Sequence, residues 1–218
     1  MTLSEVALDV RPYTEDYYRT RQGSPHFRIE VAHALRLLRL RPGQRLLEPG
    51  CGAGALLSAA AARGAWAVGL DVNGDALRIA SQSGDALFAS AERLPFPDHA
   101  FDAVIAQHLI EHFATPEPLL REWHRVLGPA GRLVLLTPNE RYADPSIYFD
   151  PDHRLIFSRS RLRRALADAG FRVERDYTLF PYLGSPHLAR VARRMLWLRW
   201  LPWFRERGAT ILVRAKRI

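Results

Sequence analysis

Residues 45–54 read RLLEPGCGAG, a short apolar run that ends in an acid, Glu48, and then in three glycines spaced G-x-G-x-G. An apolar run of this length entering glycine is the pattern of a buried strand that turns sharply at its carboxyl end. Glycines there let the backbone fold tightly and let a ligand approach main-chain N–H groups at a helix N-terminus. The next stretch, AGALLSAAAARG (53–64), is an Ala-rich helix closed by Gly64. Strand, glycine turn and helix in that order form the binding crevice of doubly wound α/β folds. A dinucleotide site has the spacing G-x-G-x-x-G. Here the third glycine arrives one residue early, and Glu48 stands where a pyrophosphate would be repelled and a ligand ammonium attracted.

The same alternation continues outward. AWAVGLDV (65–72) is a second buried strand, and Asn73 caps the helix GDALRIASQS (74–83). DALFASA (85–91) is a third strand, LPFPDHA (94–100) a Pro-rich loop and FDAVIAQH (101–108) a fourth strand. TPEPLLREWHRVLGPAG (115–131) is a helix and RLVLLTP (132–138) a fifth strand. Near-continuous apolar strands separated by helices indicate a parallel sheet covered on both faces. Upstream, PHFRIEVAHALRLLRL (25–40) places Phe27, Val31, Ala34, Leu35 and Leu38 on one helical face. Downstream, SRSRLRRALADAGF (158–171) is a Ser-capped helix, and FRVERDYTLF (171–180) and GATILVRAKRI (208–218) are two last strands. With no repeats and no linker, 1–218 reads as one domain.

Asp71 closes the second strand, 17 residues after Gly54. A carboxylate at that place only accepts hydrogen bonds and suits both hydroxyls of a ribose. The fourth strand runs into QHLIEHF (107–113), which contains H-x-x-E-H from His108 to His112. That pattern also occurs in zinc peptidases, which need both histidines on one helix and a third protein ligand. A strand end is a poor place for such a helix, and we expect no metal there.

These stretches carry a family resemblance. LLEPGCGAG, GLDV, SAERLPFPDHAFDAVIAQHLIEHF and LREWHRVLGPAGRLVLLTPN resemble, in order and spacing, the motifs of class I S-adenosylmethionine-dependent methyltransferases, in their broad small-molecule group. The resemblance runs from about residue 25 to 180. It implies a Rossmann-like, seven-stranded, mostly parallel sheet with helices on both faces and a C-terminal antiparallel strand beside the sixth. It implies S-adenosylmethionine as cofactor. Glu48, Gly50, Cys51, Gly52 and Gly54 would hold its methionine part, and Asp71 its ribose. Val72 would pack on the adenine, and Gln107 would line the site. Many relatives have Gly-Asp-Ala-Glu before Leu-Pro-Phe. This chain has Ala89-Ser90-Ala91-Glu92, so Ser90 offers a shorter, uncharged acceptor, with the backbone at Ala91 beside the ring.

Methyl transfer from a sulfonium is an in-line displacement in which alignment does much of the work. A hydroxyl or amine acceptor also needs a base, and a histidine suits that role. His112 and His108, with Glu111 to orient them, are the catalytic candidates. The resemblance makes Tyr148 and His153 acceptor-pocket residues, with Phe149 as a further wall. It also makes residues 1–42 a helical lid in which Tyr18 and Arg28 close over the cofactor. Two alternatives share the fold: a nicotinamide-dependent oxidoreductase and a non-catalytic S-adenosylmethionine-binding module.

Composition narrows the partners. Hydrophobic residues at 48% and charged residues at 25% exclude wholesale disorder. No apolar run reaches the roughly 18 residues of a membrane span, and the first residues lack the pattern of a secretory signal. Cys51 is the sole cysteine. An intrachain disulfide and a Cys-rich zinc site are therefore excluded, and a cytoplasmic setting is the default. Residues 154–218 carry 16 Lys+Arg against 4 Asp+Glu, whereas residues 1–153 carry 15 against 19. Within the basic part, 181–207 reads as a helical aromatic and basic insert. Its stretch 187–207 interleaves Trp and Arg in the manner of a peripheral contact with an anionic membrane. The expected acceptor is a small or lipid-like molecule. No nucleic acid is expected, since the Asn/Asp-Pro-Pro-aromatic motif for base amino groups is missing after the fourth strand. Oligomeric state is left open.

Overall fold

A computed structural model describes residues 13–82, 84–142, 152–181, 197, 201 and 206–218. Tyr148, Phe149, residues 1–12 of the expected lid and most of the 181–207 insert lie outside the described residues.

Two helices lead in: α1 (Glu15–Gly23) and α2 (Pro25–Leu38). Ser24 accepts a hydrogen bond from the Phe27 N–H, and Pro25 comes next, so the cap and the helix start are local features of the sequence. Then come β1 (Arg45–Pro49), α3 (Ala55–Ala61), β2 (Trp66–Asp71), α4 (Gly74–Ala80), β3 (Asp85–Phe88) and β4 (Phe101–Gln107). A 3₁₀ turn at Ile110–His112 precedes α5 (Glu117–Val126), β5 (Leu127–Pro138), α6 (Arg159–Asp168), β6 (Phe171–Pro181) and β7 (Gly208–Arg217). The caps expected at Asn73 and in the SRS stretch form: Asn73 accepts from Asp75 and Ala76, and Ser158 from Arg161.

The seven strands lie in the order β3-β2-β1-β4-β5-β7-β6. Pairs within β1–β5 are parallel, and β7 runs antiparallel to both β5 and β6. Alternate residues of one strand feed two different cores. Leu47, Val104, Leu133 and Leu135 meet Trp123 and Phe171 on one face. Leu46, Ile105, Val134 and Leu136 meet Leu38, Leu57 and Ala60 on the other. Burial on both faces is why the strands read as unbroken apolar runs. Strand order reverses between β2-β1 and β4-β5. The crevice that results opens at the carboxyl ends of β1, β2 and β4.

Of the boundaries that differ from the sequence reading, two shape the sheet. The third strand stops at Phe88, where Ala89 N–H makes its last bond to the Asp71 carbonyl. The helix expected to reach Gly131 ends at Val126. Phe101 pairs with Leu127 and Ala103 with Arg132, so Gly128–Gly131 bulges out between two registers of β5. Pro129 has no N–H to give a helix, and Ala130 takes a left-handed φ of 61°.

Candidate functional site

The glycine turn is built as a close approach. Gly50, Gly52 and Gly54 have φ of 67°, 51° and 75°, a region that residues with a Cβ rarely enter. A Cβ on Gly50 would lie 2.8 Å from Leu109 Cδ1, and one on Gly52 2.9 Å from Tyr18 Cε1. Asp71 ties the turn to β2. Its Oδ2 accepts from Gly52 N–H (2.8 Å) and its Oδ1 from Asn73 N–H (2.9 Å). Each oxygen keeps a further lone pair for a ligand hydroxyl.

These groups border a cavity of about 840 Å³, walled also by Val72, Gln107, His108, His112 and His153. Ser90 and Ala91 are not among the lining residues. Glu92 N–H donates to Ser90 Oγ (3.2 Å), and it is Glu92 that lines the cavity. Glu48 is 3% exposed, and its Oε2 has no hydrogen-bond partner among the described residues. Burial, then the neighbouring Asp71, pushes its carboxyl well above the usual range. An ammonium arriving there would meet an unused acceptor. Cys51 is buried beside it, and burial pushes its thiol up, which keeps it protonated and makes it a wall, not a nucleophile.

No helix spans both histidines of the H-x-x-E-H pattern, for the 3₁₀ turn begins only at Ile110. β4 ends at Gln107, and His108 takes a left-handed φ of 53°. That turn points His108 into a buried ionic network. Its Nε2 meets Glu30 Oε2 at 3.1 Å, and its Nδ1 meets Glu111 Oε1 at 3.2 Å. Gln107 donates to the same Glu30 oxygen (3.0 Å), Thr210 to the other (2.6 Å) and Thr137 to Glu111 Oε2 (3.0 Å). Burial opposes the charged form of all three ionisable groups, but the pairing prevails. His108 is raised to about 9, Glu30 is lowered to about 2, and Glu111 is held below its ordinary value. His112 is separate: its Nδ1 bonds the Asp152 carbonyl at 3.2 Å, and its ring meets that of His153 edge-on, centroids 5.1 Å apart.

The structure therefore brings together most of the residues singled out from sequence, and it adds Glu30. A signal for Glu30 was present. It stands three residues after Phe27 and four before Ala34, an acid on the apolar face of α2. Tyr18 lies against the glycine turn. Arg28 is exposed and donates to the Gly23 carbonyl (3.0 Å), away from that role.

Comparison with known proteins agrees with this fold. Residues 47–135 match the family described as methyltransferase domain. The chain is 39% identical over 125 residues to a demethylmenaquinone methyltransferase of Thermus thermophilus, covering 53% of this chain and 56% of that protein. The chain thus spans just over half the length of that curated relative. Among solved structures, an S-adenosylmethionine-dependent methyltransferase from Archaeoglobus fulgidus superposes with a TM-score of 0.71 at 21% identity, over 92% of this chain and 98% of that one. Phosphoethanolamine N-methyltransferase 2 of Haemonchus contortus, in complex with S-adenosylmethionine, gives 0.74 at 17% identity over 96% and 59%. At such identities, the likeness establishes the shared α/β fold.

Proposed function

We propose, from the premise that residues 47–135 belong to the methyltransferase-domain family, that this chain is a single-domain S-adenosylmethionine-dependent methyltransferase acting on a small, lipid-like acceptor. The observation that carries the reading is the glycine turn, with an acid at each end: Glu48, buried with an unused acceptor oxygen, and Asp71, braced by two amides. The residues present fit the cofactor. Glu48 takes its ammonium, and the backbone of Gly50, Cys51, Gly52 and Gly54 accommodates the methionine part. Asp71 takes the ribose hydroxyls. Val72, Ser90 and Ala91 form the adenine side, and Gln107, held by Glu30, closes the wall beneath. When bound, the cofactor supplies a methyl group on a positively charged sulfur.

The chain's own work is alignment and proton handling. Both nitrogens of His108 are engaged by carboxylates, which makes it an imidazolium that braces the floor instead of a base. Glu111 shares that bracing. His112 is the base. Its Nδ1–H donates to the Asp152 carbonyl, a bond that leaves Nε2 with a lone pair to take an acceptor proton. His153, against the His112 ring, belongs to the acceptor side.

The acceptor class follows from the wall and from the relatives. Tyr17, Phe27, Phe113, Tyr142 and Phe180 give the cavity an aromatic lining suited to a ring. The Thermus relative carries the name of a demethylmenaquinone methyltransferase. We place the protein in the cytoplasm, with 187–207 touching the anionic inner face of the membrane and no nucleic-acid role. Trp197 is 58% exposed and Leu201 42%. No helix among the described residues is long and apolar enough to cross a membrane.

The test is methyl transfer from isotopically labelled S-adenosylmethionine to demethylated quinols, phenols and phosphoethanolamine, with products separated by organic extraction. Label in an extractable quinol supports the reading. Label only in phosphoethanolamine overturns the acceptor class, and no transfer to any acceptor overturns the enzyme.

A further inference from the structure

The second half of the H-x-x-E-H pattern finds a partner 41 residues downstream. One ligand atom from each of Glu111, His112 and His153 lies within 4.8 Å of the others. We propose that these three side chains form a binding site for a divalent first-row transition-metal ion, opening onto the cavity. The geometry does not rest on the transferase reading, but metal binding and proton acceptance are alternative uses of the one free His112 nitrogen, Nε2, since Nδ1 is on the Asp152 carbonyl. The site departs from the sequence expectation of no metal and uses a different histidine pair from the one in H-x-x-E-H.

The donor set is two imidazoles and one carboxylate. Imidazole nitrogens suit zinc, copper(II), iron(II) or cobalt(II) over manganese, magnesium and calcium, which prefer oxygen-rich shells. Three protein ligands leave coordination positions open, as catalytic sites do and closed structural sites do not. His112 and His153 both line the cavity, so those positions face the space that would hold an acceptor.

The surroundings are pre-arranged. A metal-binding histidine usually gives its other N–H to a carbonyl, which fixes tautomer and ring orientation. His112 bonds the Asp152 carbonyl through Nδ1 at 3.2 Å. The carbonyl of Glu111 accepts from the N–H groups of both Arg154 (2.8 Å) and Leu155 (3.0 Å). Those bonds fasten the backbone carrying His153 to the turn that carries the other two ligands. Each Glu111 oxygen already accepts one bond, from His108 or Thr137, and keeps a second lone pair. Ligand atoms on one metal stand roughly 3 Å apart. The three groups must therefore draw in somewhat, a movement that imidazole rotation at a cavity wall can supply.

The test uses the full chain after chelator treatment and dialysis. Cobalt(II) is added and followed by visible absorption, and zinc(II) by calorimetry, for wild type, His112→Ala and His153→Ala, with circular dichroism as a check on folding. We expect one saturable equivalent in the wild type, with ligand-field bands, and at least a tenfold loss in each variant. Absence of saturable binding in the wild type overturns the site, as does binding that survives in both variants. Copper(II) broadening of the wild-type imidazole resonances serves if the variants fail to fold. Selective loss of the His112 and His153 signals supports the site, and their persistence overturns it.

Discussion

Asp71 braces the glycine turn in this structure and is proposed to bind the cofactor ribose, and the change Asp71→Asn separates the two. The carboxylate accepts from Gly52 N–H at 2.8 Å and from Asn73 N–H at 2.9 Å. An asparagine has one carbonyl oxygen, so it keeps one of these bonds and turns an NH₂ toward the other donor. Losing one hydrogen bond to a charged group costs about 1.5–3 kcal/mol. For a chain of this size each kcal/mol is worth about 2–4 °C. Unfolding should therefore begin some 3–12 °C lower, by the same conversion. The second effect is on the ligand. Two ribose hydroxyls lose a charged acceptor for a neutral one, and at about 1–1.5 kcal/mol each the affinity falls roughly 30- to 150-fold. The assay is isothermal titration with S-adenosylhomocysteine, well below the variant's melting temperature, beside a thermal melt without ligand. An affinity within threefold of wild type, with the melt lowered as expected, would refute the ribose role. It would leave Asp71 as a brace for the glycine turn alone.

Other consequences are as direct. His108 has a folded pKa of about 9, above its ordinary 6.5. Its contribution is therefore fully present below about pH 6.5 and lost as pH rises through 9. Urea unfolding should lose up to about 3 kcal/mol between pH 7 and 10, and the wild-type minus His108→Gln difference isolates it. A flat difference contradicts the network. His112→Ala should keep S-adenosylhomocysteine affinity within about twofold and lower turnover of a hydroxyl acceptor by 10²–10⁴, the usual range for a general base. Unchanged turnover would mean that the acceptor arrives already ionised. Gly69→Ala would place a Cβ 2.5 Å from Leu57 Cδ1 and 2.7 Å from Cys51 Sγ, inside a parallel strand. A loss of about 1–3 kcal/mol is expected in thermal or urea unfolding, and a neutral result would show that the strand can shift.

The parts of this architecture written in local sequence were the ones that could be read. Strands β1, β2, β4 and β5 are apolar on both faces, so each announces itself as a run. Ser24, Asn73 and Ser158 cap helices through bonds to residues two or three positions away. The glycine turn is legible because only glycine fits both its φ values and its neighbours. What stayed hidden depends on distance along the chain. Glu30 meets Gln107, His108 and Thr210 across 77, 78 and 180 residues, and nothing local says that an acid on α2 will be buried against β4 and β7. The roles of the two histidines in H-x-x-E-H also divided on a backbone feature, the left-handed turn at His108, which residue type does not encode. The end of α5 was misplaced because Gly-Pro after Leu127 fits a helix stop as well as a bulge. The register of β5 against Phe101 decided between them.

We propose that the glycine turn, Glu48 and Asp71 take S-adenosylmethionine rather than a dinucleotide, and the other transferase roles depend on that proposal. Parallel thermal melts of the wild-type protein, alone, with S-adenosylhomocysteine and with NAD, test it most directly. A ligand at 100 times its Kd adds about 2.7 kcal/mol, a rise of roughly 5–11 °C for a chain of this length. S-adenosylhomocysteine should produce that rise, and NAD none. A rise with NAD alone, or with neither, contradicts the assignment.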